Sequence, residues 1–254
     1  MAHVQFTDVQ DRPTEFLDLT SLPLDEFQQL IPPFEAAFQA HMAAWRLDGK
    51  PRTARCFSVY QNCPLPTPED RLLFSLTYVK TYSLQVVQGR LFGRGQSKAT
   101  QWIHVLLPVL LAALRSRGDA PARSLSALAQ RLGVSEADAA TVVTSLEEET
   151  VPLGAAPASP LLPMTGRNGA LSAPKTLLHS KRVSAELPLE QQRANQVLHQ
   201  RRLRIEHVNS SVKRCRMVKD RIRLWKEGVR DLVMELCCAL HNFRVRLHPW
   251  LPMT

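Results

Sequence analysis

Eighteen prolines punctuate the 254 residues, and where they fall decides which segments can be helical. A proline interrupts a helix from within but suits its first turn. From Leu24 to Trp45 apolar residues recur at helical spacing, but Pro32 and Pro33 sit inside the run. The pair predicts two helices, about 24–31 and 33–46. Thr67-Pro68-Glu69-Asp70 is a helix start: Thr can cap, Pro takes the first position, and two acids suit the positive end of the dipole. That helix should run to about Thr81. Ser83 then caps a second, through Leu91. Gly93-Arg94-Gly95 makes a turn, and Gln96 to Arg115 reads as a third helix, kinked at Pro108. Residues 1–20 are polar and read as a frayed end, and 48–66 read as a loop.

A second helix–turn–helix pattern follows. Ser124 to Leu132 is a short helix, Gly133-Val134 its turn, and Ser135 with Asp138 three residues on has capping-box spacing. That last helix ends in Glu147-Glu148-Glu149. Residues 151–175 hold five prolines and three glycines without apolar period, the composition of a linker. Helix resumes near Pro188, runs past Glu206 to Lys213, and returns over about 226–246. The fold class is mostly α. The expected division is an N-terminal helical segment over 1–66, a helix–turn–helix domain over 67–150, a flexible linker over 151–186 and a basic helical tail over 187–254.

The formal net charge of +9 is placed unevenly. Residues 1–180 hold 16 Lys+Arg against 16 Asp+Glu, whereas residues 181–254 hold 16 against 7. Such a block points to a phosphate backbone as partner without identifying one. The apolar stretch Trp102–Leu114 is 13 residues long, against the roughly 20 a membrane span needs, so it reads as a buried helix. No signal-peptide pattern opens the chain. The five cysteines contain no C-x-x-C spacing, which argues for free thiols in the cytosol and against a zinc site.

Between residues 71 and 131 stand nine Lys+Arg and a single acid, Asp119. In a DNA-binding helix–turn–helix the second helix enters the major groove and its N-terminal residues meet base edges. Here those residues are Gln96, Ser97, Lys98, Thr100 and Gln101, with Arg94 in the turn where a phosphate would lie. Gln can pair with adenine in two hydrogen bonds and Lys can pair with guanine. A plain helical bundle with a solvated basic face produces the same pattern. The second helix pair, with its three acids, is the poorer partner for phosphate. Further on, Arg202, Glu206 and Lys213 fall near one helical face. A metal-ligating carboxylate flanked by phosphate-gripping cations fits that spacing, and so does an ordinary surface salt-bridge stripe.

Three stretches together resemble insertion-sequence transposases of the DDE superfamily, family-five type. They are Phe34-Glu-Ala-Ala-Phe-Gln-Ala-His41; the region 72–110, with Tyr78-Val-Lys-Thr-Tyr82, Val86-Val-Gln-Gly-Arg-Leu-Phe-Gly93 and Gln101-Trp-Ile-His-Val-Leu-Leu-Pro108; and the region 201–250, with Arg204-Ile-Glu-His-Val-Asn-Ser-Ser-Val-Lys-Arg214 and Asp231-Leu-Val-Met-Glu-Leu-Cys-Cys-Ala-Leu-His-Asn-Phe-Arg244. The family carries Y-x₂-R-x₃-E-x₆-K. Here the positions are His199, Arg202, Glu206 and Lys213, so the first departs. The resemblance implies that Glu206 is the third carboxylate of a magnesium-binding triad and that Lys213 helps hold the transposon end. It also implies two aspartates on strands of an RNase H-like sheet upstream. No Asp lies between Asp138 and Asp220, and the linker stands where that sheet would be. The expectation is therefore a transposase-related protein without its catalytic centre, needing no cofactor as it stands. It would bind duplex DNA at terminal inverted repeats in a bacterial nucleoid, alone, as a homo-oligomer or with an intact transposase. Two alternatives stay open: an active endonuclease using Asp119, Asp138 or a partner's aspartates, and a helical DNA-binding regulator.

Overall fold

The structure, a computed structural model, describes residues 3–53, 65–150, 189–224 and 227–249. They form eleven helices and, among the described residues, no strand. The linker expected at 151–186 lies outside the described residues. The chain divides into two units, one of residues 1–121 with 200–254, the other of 122–199. This grouping differs from the sequential division expected from the sequence, because the C-terminal tail joins the N-terminal helices.

The first unit opens with α1 (Phe6–Val9) and α2 (Pro13–Thr20), where a frayed end was expected. Their order comes from tertiary packing. The Phe6 ring stacks on Phe27 at 5.3 Å, and Phe16 meets Phe27 edge-on at 5.0 Å. The Phe6 amide donates to Asp70 Oδ1 at 2.8 Å.

Helix α3 (Leu24–Ala44) is a second correction: it is continuous through Pro32 and Pro33. Proline's fixed φ is itself helical; its cost lies in the lost amide and the crowded carbonyl four residues back. For Pro33 that carbonyl belongs to Gln29, and Arg117 Nη1 donates to it at 3.1 Å. Phe27, Leu30, Phe34, Phe38 and Met42 form one unbroken buried stripe, which holds both halves on a common axis.

Helix α4 (Pro68–Thr81) begins as its start signal predicts, with Thr67 accepting from the Asp70 amide. Helix α5 (Gln85–Leu91) lacks the expected Ser83 cap: Leu84 holds the cap position, and Ser83, one residue earlier, donates its hydroxyl proton to Gln88 Oε1. Helix α6 (Gln96–Ser116) continues through Pro108 and carries eleven buried residues. By length and composition it is the one described helix able to cross a membrane, but its apolar residues sit in the core against α3, α4 and α11.

Helix α9 (Leu189–Val212) ends in this unit and is followed by α10 (Arg216–Lys219) and α11 (Val229–Leu247). Met217, Val233, Leu236, Leu240 and Phe243 join the same core as Leu106, Val109 and Leu110 of α6. Two ion pairs pin α11 along α6. Arg115 grips Glu235 with two bonds of 2.7 and 2.8 Å, and Arg246 grips buried Asp119 at 2.7 and 2.9 Å. Arg223 donates to both the hydroxyl and the carbonyl of Tyr82, and so fastens the tail to the end of α4.

In the second unit, α7 (Leu125–Leu132) is capped by Ser124, which the sequence placed inside the helix, and ends at Gly133 (φ 67°), where the turn was expected. Helix α8 (Glu136–Thr150) starts at the Ser135–Asp138 pair, with a 2.6 Å hydroxyl–carboxylate bond.

Candidate nucleic-acid interface

Helices α5 and α6 meet at a turn too tight for a side chain. The Gly89 carbonyl accepts from the Arg94 amide at 2.6 Å. A Cβ on Gly89 would stand 2.5 Å from the Arg94 carbonyl oxygen, a backbone atom that cannot swing aside. Gly93 has φ +70°, in the left-handed region that glycine enters without steric cost. Buried Gln88 anchors α5 from below, its amide donating to the Phe74 carbonyl of α4 at 3.0 Å. The Phe92 ring closes the corner against Phe74 at 5.0 Å. Gly89 and Gln88 are the positions that sequence reasoning missed. A glycine inside a helical segment was their one visible signal.

This corner presents the N-terminal end of α6 to solvent. Gln96, Ser97 and Lys98 are exposed there, with Arg94 half-buried in the turn. Thr100 and Gln101 are half-buried and already engaged. Thr100 Oγ1 lies 2.8 Å from Gln85 Oε1 and 2.9 Å from the Gln96 carbonyl, and its one proton serves them in turn. Lys98 Nζ donates to Gln101 Oε1 at 3.2 Å. All six predicted residues thus converge on one helix end. Gly95 caps α6 without a side chain, and no acid stands in its first turn. Its leading amides therefore face outward with the positive end of the dipole, the arrangement that suits a phosphate.

The electropositive character is more local than the count of nine cations implied. Arg71 is buried: it donates to Glu35 at 2.7 Å and to the Pro66 carbonyl at 2.8 Å, and lies over the Phe38 ring. Arg115 and Arg117 are turned to Glu235 and Asp119. Beside the turn itself stand Arg90, Arg94 and Lys98. No acid occurs in the sequence between Arg71 and Gly118.

The second set of predicted residues is placed differently. Arg202 and Glu206 are exposed on α9 and Lys213 is exposed just past its end. No ion pair joins Glu206 to either cation among the described residues, so the expected stripe of salt bridges does not form. Asp119, the first carboxylate considered for an active centre, is committed to Arg246, whose guanidinium it holds in the charged form by raising its pKa. Asp138 is committed to the α8 cap. No group of three His, Cys, Asp or Glu stands together among the described residues in a way that could hold a metal. The carboxylates of the described residues therefore do not fit the magnesium pair that the transposase resemblance implies, which needs several oxygen ligands converging.

Comparison with protein families, curated proteins and solved structures finds no match to the chain.

Proposed function

We propose that this chain is a transposase-derived DNA-binding protein that engages duplex DNA through the N-terminal end of α6 and has no strand-cleaving centre of its own. The observation that supports it best is the α5–α6 corner. Gly89 and Gly93 allow a close helix–turn–helix, and the second helix leads with Gln96, Ser97 and Lys98 in solvent. In such a motif, those side chains reach base edges while the turn meets the backbone. Arg94 is then a phosphate contact, and Lys98 and Gln101, held together, read neighbouring bases. The natural targets are terminal inverted repeats, bound alone or beside an intact transposase. Glu206 is the last of a triad whose aspartates this chain does not carry.

The test is binding of the full chain to duplex DNA across a salt series. Arg94→Ala combined with Lys98→Ala should weaken binding. It should also flatten the slope of log K against log salt by about 0.9 for each phosphate no longer neutralised. An affinity and slope that do not move would refute the assignment.

A further inference from the structure

A cleft of about 500 Å³ lies in the first unit, away from the residues assigned above to DNA. Ser210, Ser211 and Arg214 line it from the end of α9, and His241, Arg244 and His248 line it from α11 and its cap. On α11 these three are spaced i, i+3 and i+7, so one face of the helix points them the same way. From α3 comes Glu26, the single carboxylate in the lining.

Arg244 is the unusual member. All three of its guanidinium nitrogens are shut off from solvent, and none has a hydrogen-bond partner. Buried cations in folded proteins are paired, and an exception asks for an ion or ligand. The neighbours do not supply one. Glu26 turns one oxygen to His248 Nδ1 at 3.0 Å, and its other oxygen is buried without a partner. Burial pushes its carboxyl above the usual range despite Arg244 and His248 nearby. Cys215 lies close enough for Arg244 to bias its thiol toward ionisation, after the larger effect of the Cys237 thiol, but a thiol is at best a weak acceptor and does not saturate a guanidinium's five donors.

We propose that this cleft is an oxyanion site that takes a phosphate group, with Arg244 and Arg214 as its cations and the hydroxyls of Ser210 and Ser211 as further donors. Two guanidinium forks with two hydroxyls offer more donors than a carboxylate can use, and they match the several oxygens of phosphate. Arg214 and His248, which line the cleft with Arg244, are themselves exposed to solvent. The phosphate comes either from a DNA backbone or from a free phosphate or nucleotide.

Isothermal titration calorimetry of the full chain with inorganic phosphate tests the site whether or not α6 binds DNA. Saturable binding at millimolar phosphate is expected, with acetate much weaker. Arg244→Gln should weaken it by about tenfold or more, the loss of one charge-assisted hydrogen bond. Glu26→Gln should tighten it by removing the competing carboxylate. Should Arg244→Gln fail to fold, Arg214→Ala at the exposed edge should still weaken binding severalfold. Displacement of phosphate by duplex DNA assigns the site to a backbone phosphate, and its persistence assigns the site to a free one. No saturable heat with folded protein, equal binding of acetate, or binding indifferent to both arginine substitutions overturns the proposal.

Discussion

Replacing Gly89 by alanine sets two effects of opposite sign against each other. In an ordinary helix interior the change adds about 0.5–1 kcal/mol of stability, because alanine loses less backbone freedom on folding. At this position the new methyl would stand 2.5 Å from the Arg94 oxygen and 3.2 Å from both the carbonyl carbon and the oxygen of Gly95. All of these are backbone atoms of the turn, so relief requires moving α6 away from α5. Such overpacking costs about 1–3 kcal/mol. The 2.6 Å bond from the Arg94 amide to the Gly89 carbonyl stretches with it, and a hydrogen bond is worth about 1 kcal/mol net. The net expectation is a loss of about 1–3 kcal/mol. For a unit of this size that is a fall of about 2–12 °C in melting temperature, read by circular dichroism. DNA affinity should fall further than the melting shift accounts for, because Lys98 and Arg94 move relative to each other. Gly95→Ser is the matched control. Space is open at Gly95, and serine is the better cap, so a gain of a few tenths of a kcal/mol is expected. A melting temperature that rises in Gly89→Ala would refute the close turn and the motif built on it.

Asp119→Asn removes a buried partner of Arg246, which itself reaches solvent, so a loss of about 1–3 kcal/mol in denaturant unfolding is expected; an unchanged midpoint would mean that α11 is not fastened there. Glu26 has a folded pKa raised above its ordinary 4.5, chiefly by burial, so its share of stability is full below pH 4.5 and lost as pH rises through the folded value. Glu26→Gln should therefore melt higher than the parent at neutral pH, with the difference vanishing in acid; the opposite trend would show that its cation neighbours outweigh burial. Glu206→Ala, at an exposed position, should change stability by no more than about 0.5 kcal/mol and leave magnesium-dependent nicking at background in both proteins. Cleavage by the parent that this substitution abolishes would restore the catalytic reading.

Apart from the Ser83 cap, local chemistry was legible where a signal and its effect lie within a few residues. The Thr67 cap, the Gly133 turn and the Ser135–Asp138 pair all appear where their spacing puts them. Legibility failed where the partner is distant. Pro32 and Pro33 looked like a break because nothing near them announces that Arg117 donates to the Gln29 carbonyl. Residues 1–20 looked frayed because Phe6 and Phe16 show no period of their own; their order comes from the ring of Phe27 and from Asp70. The same cause distorted the candidate site. The six residues of the α6 end stand together in the structure, but the surrounding charge was overcounted, since Arg71 and Arg115 find acids 36 and 120 residues away.

The position of the tail bears on why such a chain would keep it. The stretch after α9 supplies Met217, Leu236, Leu240 and Phe243 to the core that α6 also enters, and it carries Arg223, Glu235 and Arg246 to partners on the N-terminal helices. Without it, α6 would expose apolar side chains now out of water, at a cost of about 25 cal/mol for each square ångström. Glu235 and Arg246 matter through Arg115 and Asp119, and these ion pairs ask nothing of a metal. Glu206 stands outside that arrangement, exposed on α9 and bonded to neither of its expected cations. The helix that reads DNA in the proposed function is therefore the helix that the tail covers. In that proposal, loss of cleavage chemistry would remove no support from that helix, whereas loss of α11 would remove the face it is built against.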